Sequence, residues 1–256
     1  MNNLIRYGMV MAERNRYGLG RYIPSEIRSE VRKRCGFGCV ICGLALFDYE
    51  HFDPDFKDAD KHDPLSITLL CMQCNQKRNR RVLSVETVRK ANANPICLQQ
   101  GFSSETFDFG SDPIEVVFAG VTFIDCKSLI HIHGISMLSI AQPESGHGPF
   151  RLSGLFSDRD GLTTLRITDN EWIVGADNWD VECCGPQIII RKAKNDIALS
   201  LRSEPPKRLV VEQLDMEFEG VCLRGKGDVL EFSNNNKRSW GRFQDIGMFE
   251  GHGISF

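Results

Sequence analysis

The chain has 256 residues, 41% hydrophobic and 25% charged, an ordinary globular composition, long enough for one large domain or two small ones, for which disorder is not the default expectation. No stretch approaches the roughly 18 to 20 uninterrupted apolar residues of a membrane-crossing helix, and "MNNLIRYGMVMAERNRYG" breaks its apolar run at Arg6, Glu13, Arg14 and Arg16, unlike a secretory leader. A soluble, cytoplasmic protein is expected; its net charge of −3 divides unevenly, with 16 Lys and Arg against 11 Asp and Glu in residues 1–95, and 15 against 23 in the remainder.

The first predicted element is a helix over "YIPSEIRSEVRKRCG", with Pro24 in its first turn, Glu30 four residues before Arg34, and Gly36 beyond its end. A cysteine-rich segment follows. Cys39 and Cys42 form one C-x2-C pair, Cys71 and Cys74 another, and the 28 residues between them exceed the spacer of a simple zinc ribbon. Four thiolates suit tetrahedral Zn²⁺ and close its coordination shell, so the metal is expected to be structural; the plainer alternative is four cysteines buried in a small core. The chain's 10 cysteines are too dispersed for a disulfide scaffold. Cys35 fits neither pair and reads as a free thiol at the helix end, while Cys97, Cys126, Cys183, Cys184 and Cys222 read as packing residues.

"LSVETVRKANANP" predicts a short helix capped by Ser84 and stopped before Pro95. The polar "LQQGFSSETFDFGSDP" predicts a linker, dividing the chain into an N-terminal domain over 1–95, a linker over 96–112 and a second domain over 113–256. In the second domain, "IEVVFAGVTFID", "LIHIHGISMLSI", "LTTLRIT", "PQIIIRK", "IALSLR", "RLVVEQLDMEF" and "DVLEF" alternate with period two and are separated by turn residues. The expected fold class is α+β: a zinc-stabilised N-terminal domain followed by an all-β domain, a sandwich or roll. A solenoid is disfavoured because no fixed-period repeat is visible.

The segment between the cysteine pairs places Glu50 and His51 side by side in "DYEHFDP", and Asn75 follows the last cysteine in "LLCMQCNQKRNRR". Phosphodiester hydrolysis needs an oxygen ligand for a cation, a base and cationic groups for phosphate oxygens, and all three residue types occur here. With these motifs, residues from about Arg21 to Ser84 resemble the HNH endonucleases of the ββα-metal class, in the variety tied together by a four-cysteine zinc. The likeness covers roughly the first third of the chain.

The resemblance implies that His51 is the general base, and that Glu50 and Asn75 hold a catalytic Mg²⁺ or Mn²⁺. It also places Arg78 on a basic position that often follows. The expected products carry 5′-phosphate and 3′-hydroxyl groups. Where the family usually has an asparagine bracing the loop of the base, this chain has Ser66, whose hydroxyl offers fewer hydrogen bonds. Lys77, Arg78, Arg80 and Arg81 are expected to meet the DNA backbone, positioning it without reading sequence; the alternative is a solvated basic face. His62, in "DKHDP", reads as a loop residue rather than an additional ligand.

The acidic β-domain carries no recognised family signature. His131 and His133 read as a solvent-facing strand pair and Trp172 and Trp179 as core; the acidic balance argues against a nonspecific DNA clamp, with a local basic stripe of Arg191, Lys192 and Lys194 left open. Two functions remain open. One is a nuclease whose β-domain selects substrate or senses a signal, as in a restriction or phage-defence effector. The other is a catalytically silent, zinc-dependent module that binds nucleic acid or protein. DNA is the expected partner, with RNA and a homodimer left open. Residues 1–95 alone are expected to bind or nick DNA with little sequence preference.

Overall fold

The computed structural model describes residues 14–234 and 239–256, and its first helix, α1, spans Ser25–Cys35. Gly36 ends that helix at φ 72°, in the left-handed region, and a Cβ there would also lie 2.8 Å from Cys97 Cβ. β1 (Asp48–His51) and β2 (Ile67–Leu70) pair antiparallel, with Glu50 opposite Thr68 and His51 opposite Ile67. Helix α2 (Met72–Asn79) follows at once, and α3 (Val85–Ala93) begins at Ser84, whose side chain accepts the Thr87 N–H as a helix cap. Val31, Ile67, Leu69 and Leu70 pack with Cys39, Cys71 and Cys74 into a small core beneath these elements.

The expected linker is largely structured. Residues 96–112 contain helix α4 (Ile96–Gln100) and strand β3 (Phe102–Thr106), and β3 joins the large sheet. The polar residues that read as linker material are used for docking: the buried Ser103 hydroxyl donates to the Phe37 carbonyl at 3.0 Å, and the Ala45 N–H donates to the Ser104 carbonyl at 2.9 Å.

The remaining strands are β4 (Glu115–Phe118), β5 (Val121–Ile132), β6 (Ile135–Ala141), β7 (Arg151–Ser157), β8 (Thr163–Thr168), β9 (Glu171–Gly175) and β10 (Asp180–Cys184). They continue as β11 (Gln187–Ala193), β12 (Asp196–Glu204), β13 (Arg208–Phe218), β14 (Val221–Lys226), β15 (Val229–Asn234), β16 (Gly241–Gln244) and β17 (Ile246–Ser255). Together with β3 they form one hydrogen-bonded sheet of 15 strands, whose main path runs β10-β11-β12-β13-β4-β5-β6-β7-β8-β9-β3.

The sheet curls because its long strands change neighbours along their length. On one side of β13, residues 208–211 pair with β4 and residues 213–218 with β14; β5 similarly passes from β4 to β6. Phe118 of β4 consequently stacks on Phe156 of β7 at 6.3 Å between ring centres, within a single large core. The all-β part is thus hydrogen-bonded as one continuous sheet, with β5 and β13 each passing from one neighbour to another along their length. Both ends of the path meet the cysteine module, β3 through Ala45 and β10 through Arg32 of α1. No helix among the described residues is long and apolar enough to cross a membrane.

Candidate functional site

The cysteine cluster is assembled by two chain reversals, one after α1 and one between β2 and α2. The four sulfurs of Cys39, Cys42, Cys71 and Cys74 all lie within 4.8 Å of one another, with Cys42 Sγ 3.6 Å from Cys71 Sγ and 3.9 Å from Cys74 Sγ. Sulfurs at Zn–S distances of about 2.3 Å around a tetrahedral centre are about 3.8 Å apart, so the donor set fits zinc. Cys71 also caps α2 by accepting the Cys74 N–H at 3.4 Å, which fixes the pair before any metal is considered. Crowding splits the thiols: the hydrogen bond from Cys42 lowers Cys39, the same pairing raises Cys42, and burial pushes Cys74 up to about 12. A bound dication favours all four thiolates together.

The cluster anchors the start of α2 against the hairpin, and this places the other candidate ligands. Asn75, in the first turn of α2, donates its side-chain amide to a Glu50 carboxylate oxygen on β1. Burial raises the Glu50 pKa, opposed by that hydrogen bond and by the nearby Arg78 charge. His51 is the next residue on β1, so its side chain leaves the opposite face of the strand; it is only 6% exposed, and its ring packs edge-on against Phe56. Burial, with the charges of His62 and Arg21, pushes its pKa down to about 4. Glu50, His51, Tyr49, Arg21 and Arg28 nevertheless line one open cleft of about 420 Å³.

The basic residues after Asn75 separate into two kinds. Lys77, Arg80 and Arg81 are exposed, whereas the Arg78 side chain is 10% exposed and grips the loop after β1: it donates to Asp55 and to the His51 carbonyl at 3.2 Å. Ser66 contributes through its backbone, its carbonyl accepting the Phe52 N–H at 3.0 Å. Arg34 donates to the Pro64 carbonyl at 3.0 Å, holding the other end of the same loop. The sequence reading missed two neighbours of the site. His62 Nδ1 lies 3.2 Å from His51 Nε2, and the Arg21 guanidinium sits 4.6 Å over the Phe56 ring. The only signal for His62 was its residue type, because nothing in "DKHDP" fixes which way an irregular loop folds back.

A buried ionic cluster links this site to the β-domain. Arg32 of α1 binds Asp180 of β10 through two bonds of 2.8 and 2.6 Å and donates to the Tyr49 hydroxyl at 2.7 Å, one residue before Glu50. Burial opposes the Arg32 charge, but Asp180 and Tyr49 more than offset it and the pKa is raised. Arg191 of β11 completes the cluster by binding Glu182 at 2.9 Å. Arg191 and Lys192 are therefore paired with acids, Lys192 with Asp158 at 2.7 Å, and do not form an open basic stripe. Trp172 is buried as expected, but Trp179 is 40% exposed, with the Lys33 ammonium 3.5 Å above its ring.

The chain matches no protein-family model, no curated protein and no solved structure.

Proposed function

We propose that the protein is a metal-dependent endonuclease of the HNH, ββα-metal kind, hydrolysing phosphodiester bonds in DNA. The observation that carries this reading is the Glu50–Asn75 contact between β1 and α2, with His51 adjoining it in the same cleft. The Glu50 carboxylate and, with its amide turned over from the present N–H contact, the Asn75 side-chain oxygen would together offer a hard-oxygen site for Mg²⁺ or Mn²⁺. Such a cation, when bound, supplies positive charge to the oxyanion and leaving oxygen.

The chain's own groups do the rest. His51, held neutral by burial, accepts the proton of the attacking water. Arg21 and Arg28 put positive charge on the cleft where a phosphate enters, and exposed Lys77, Arg80 and Arg81 meet neighbouring phosphates. Arg78, given to the loop, positions the base and is replaced in the phosphate role by the cleft arginines. The cysteine cluster, as a structural zinc site, keeps β1, β2 and α2 in register. The β-domain, joined to α1 next to the cleft, is the candidate for substrate selection.

A catalytically silent, zinc-dependent binding module is the second reading, favoured by one observation: Glu50 and Asn75 already satisfy each other. Plasmid DNA separates the two. The zinc-loaded full chain should nick it with Mg²⁺ or Mn²⁺, and His51→Ala should slow cleavage about 10²- to 10⁴-fold with zinc content unchanged. Intact supercoiled DNA under every divalent metal would leave the binding module as the reading.

A further inference from the structure

We propose that His62 is a positioning residue that holds His51 in one tautomer, with the proton on Nε2 and the lone pair on Nδ1. This rests on the reading of His51 as the base of a hydrolytic site. The rings face each other with centroids 5.2 Å apart and planes tilted by 48°, and His62 Nδ1 is 3.2 Å from His51 Nε2. In a hydrogen bond between two imidazole nitrogens, one donates and the other accepts.

The two arrangements have opposite consequences. If His62 donates, His51 Nε2 spends its lone pair on that bond and the ring proton sits on Nδ1, leaving no free lone pair. If His51 donates, its Nδ1 keeps a lone pair and the ring is competent as a base. His51 is 6% exposed and closed in by Phe56, so solvent offers its ring few substitutes for the His62 partner. The loop carrying His62 is itself fastened, since Arg34 holds Pro64 and the Asp63 side chain accepts the Leu65 N–H at 3.0 Å. His62 thereby takes up bracing that the Ser66 backbone provides only to the neighbouring Phe52.

The experiment compares the zinc-loaded full chain with His62→Ala and His62→Asn; asparagine places an acceptor oxygen near the position of His62 Nδ1. Two-bond ¹H–¹⁵N correlation spectra of ¹⁵N-histidine protein, with His51 identified by its loss in His51→Ala, report the tautomer directly. The expected result is Nε2–H in the parent, a mixture of tautomers in His62→Ala, and Nε2–H again in His62→Asn. On plasmid DNA with Mg²⁺, His62→Ala should lower kcat about 10- to 100-fold with KM nearly unchanged, and His62→Asn should recover most of the loss. An Nδ1–H parent, or a His51 tautomer unmoved in His62→Ala, overturns the inference. A parent that cuts no DNA but shows this His62-dependent tautomer refutes the nuclease reading and leaves the positioning role standing. Cleavage lost in His51→Ala but intact in His62→Ala does the reverse.

Discussion

At the scale of single residues, the chemistry of the site is governed by where His51 stands relative to water. Burial disfavours its charged form, and the neighbouring His62 and Arg21 add to the effect, so its pKa falls from the ordinary 6.5 to about 4. The sign follows directly: the ring is neutral above about 4 and gains its proton only as pH falls through that value. Folding stability linked to this group is complete above about 6.5 and is lost between there and about 4, because only the unfolded chain binds the proton in that window. An NMR titration of the His51 ring should accordingly give a midpoint near 4, and cleavage should show no step near pH 6.5; a midpoint of about 6 or above would contradict the burial argument. The residues that sequence reasoning could find here were those bound to one another by short spacing: the two cysteine pairs, Glu50 beside His51, and Asn75 directly after Cys74. His62 and the grip of Arg78 on Asp55 could not be found that way, since both depend on how the irregular chain between β1 and β2 returns to the strand pair.

Among the secondary-structure elements, the decisive contact joins α1 to β10. Arg32 and Asp180 are 4% and 3% exposed as side chains, and their bidentate geometry leaves no room for water to replace either partner. Removing the Arg32 charge leaves the buried Asp180 with only the longer Arg191 contact at 3.4 Å, so Arg32→Met should cost about 3 kcal/mol, the lower end for breaking a buried pair. Adding Asp180→Leu should recover most of that, because two apolar groups need no partner. Urea unfolding of the single and double variants tests both statements; a loss under about 1 kcal/mol for Arg32→Met would mean that the pair is solvated. No sequence pattern links positions separated by 148 residues, and so this contact was invisible beforehand. Local elements were more legible. Pro24, Gly36 and Ser84 marked helix ends for steric and hydrogen-bonding reasons that hold in any context, and β-branched alternation marked β5, β8, β11, β12 and β13. β17 escaped because Gly247, Gly251 and Gly253 make it resemble a loop, yet a Cβ at Gly253 would lie 2.1 Å from the Leu129 carbonyl oxygen of β5. The glycine is there so that two strands can approach, a reason that exists only in the folded sheet.

For the molecule as a whole, the question is whether the cysteine module and the sheet are two domains or one folding unit. The charge asymmetry and polar connection point to two, but Phe37 and Ala45 from the module are buried at 1% and 0% in the core of the β-domain. A Cβ on Gly38 would come within 2.8 Å of both Cys97 Sγ and Ser103 Cβ, so the chain beside the first cysteine pair is packed directly against α4 and β3. Cutting after residue 95 would expose Phe37, worth about 1.5–3 kcal/mol of burial, and remove Asp180 from Arg32. It would also break the backbone pairing of Ala45 with Ser104. Domains of under about 100 residues have little stability to lose, and the four-cysteine cluster cannot replace the contacts that Phe37, Arg32 and Ala45 make with the sheet. The isolated segment over 1–95 should therefore fail to hold a native fold even with zinc, in contrast to the autonomy expected from its composition. Amide spectra of the segment and of the full chain, both zinc-loaded, decide the matter: the segment should give poorly dispersed signals or aggregate, while the full chain unfolds in one transition. A well-dispersed segment that nicks DNA with the full chain's substrate profile would establish two independent domains and return the β-domain to a dispensable role.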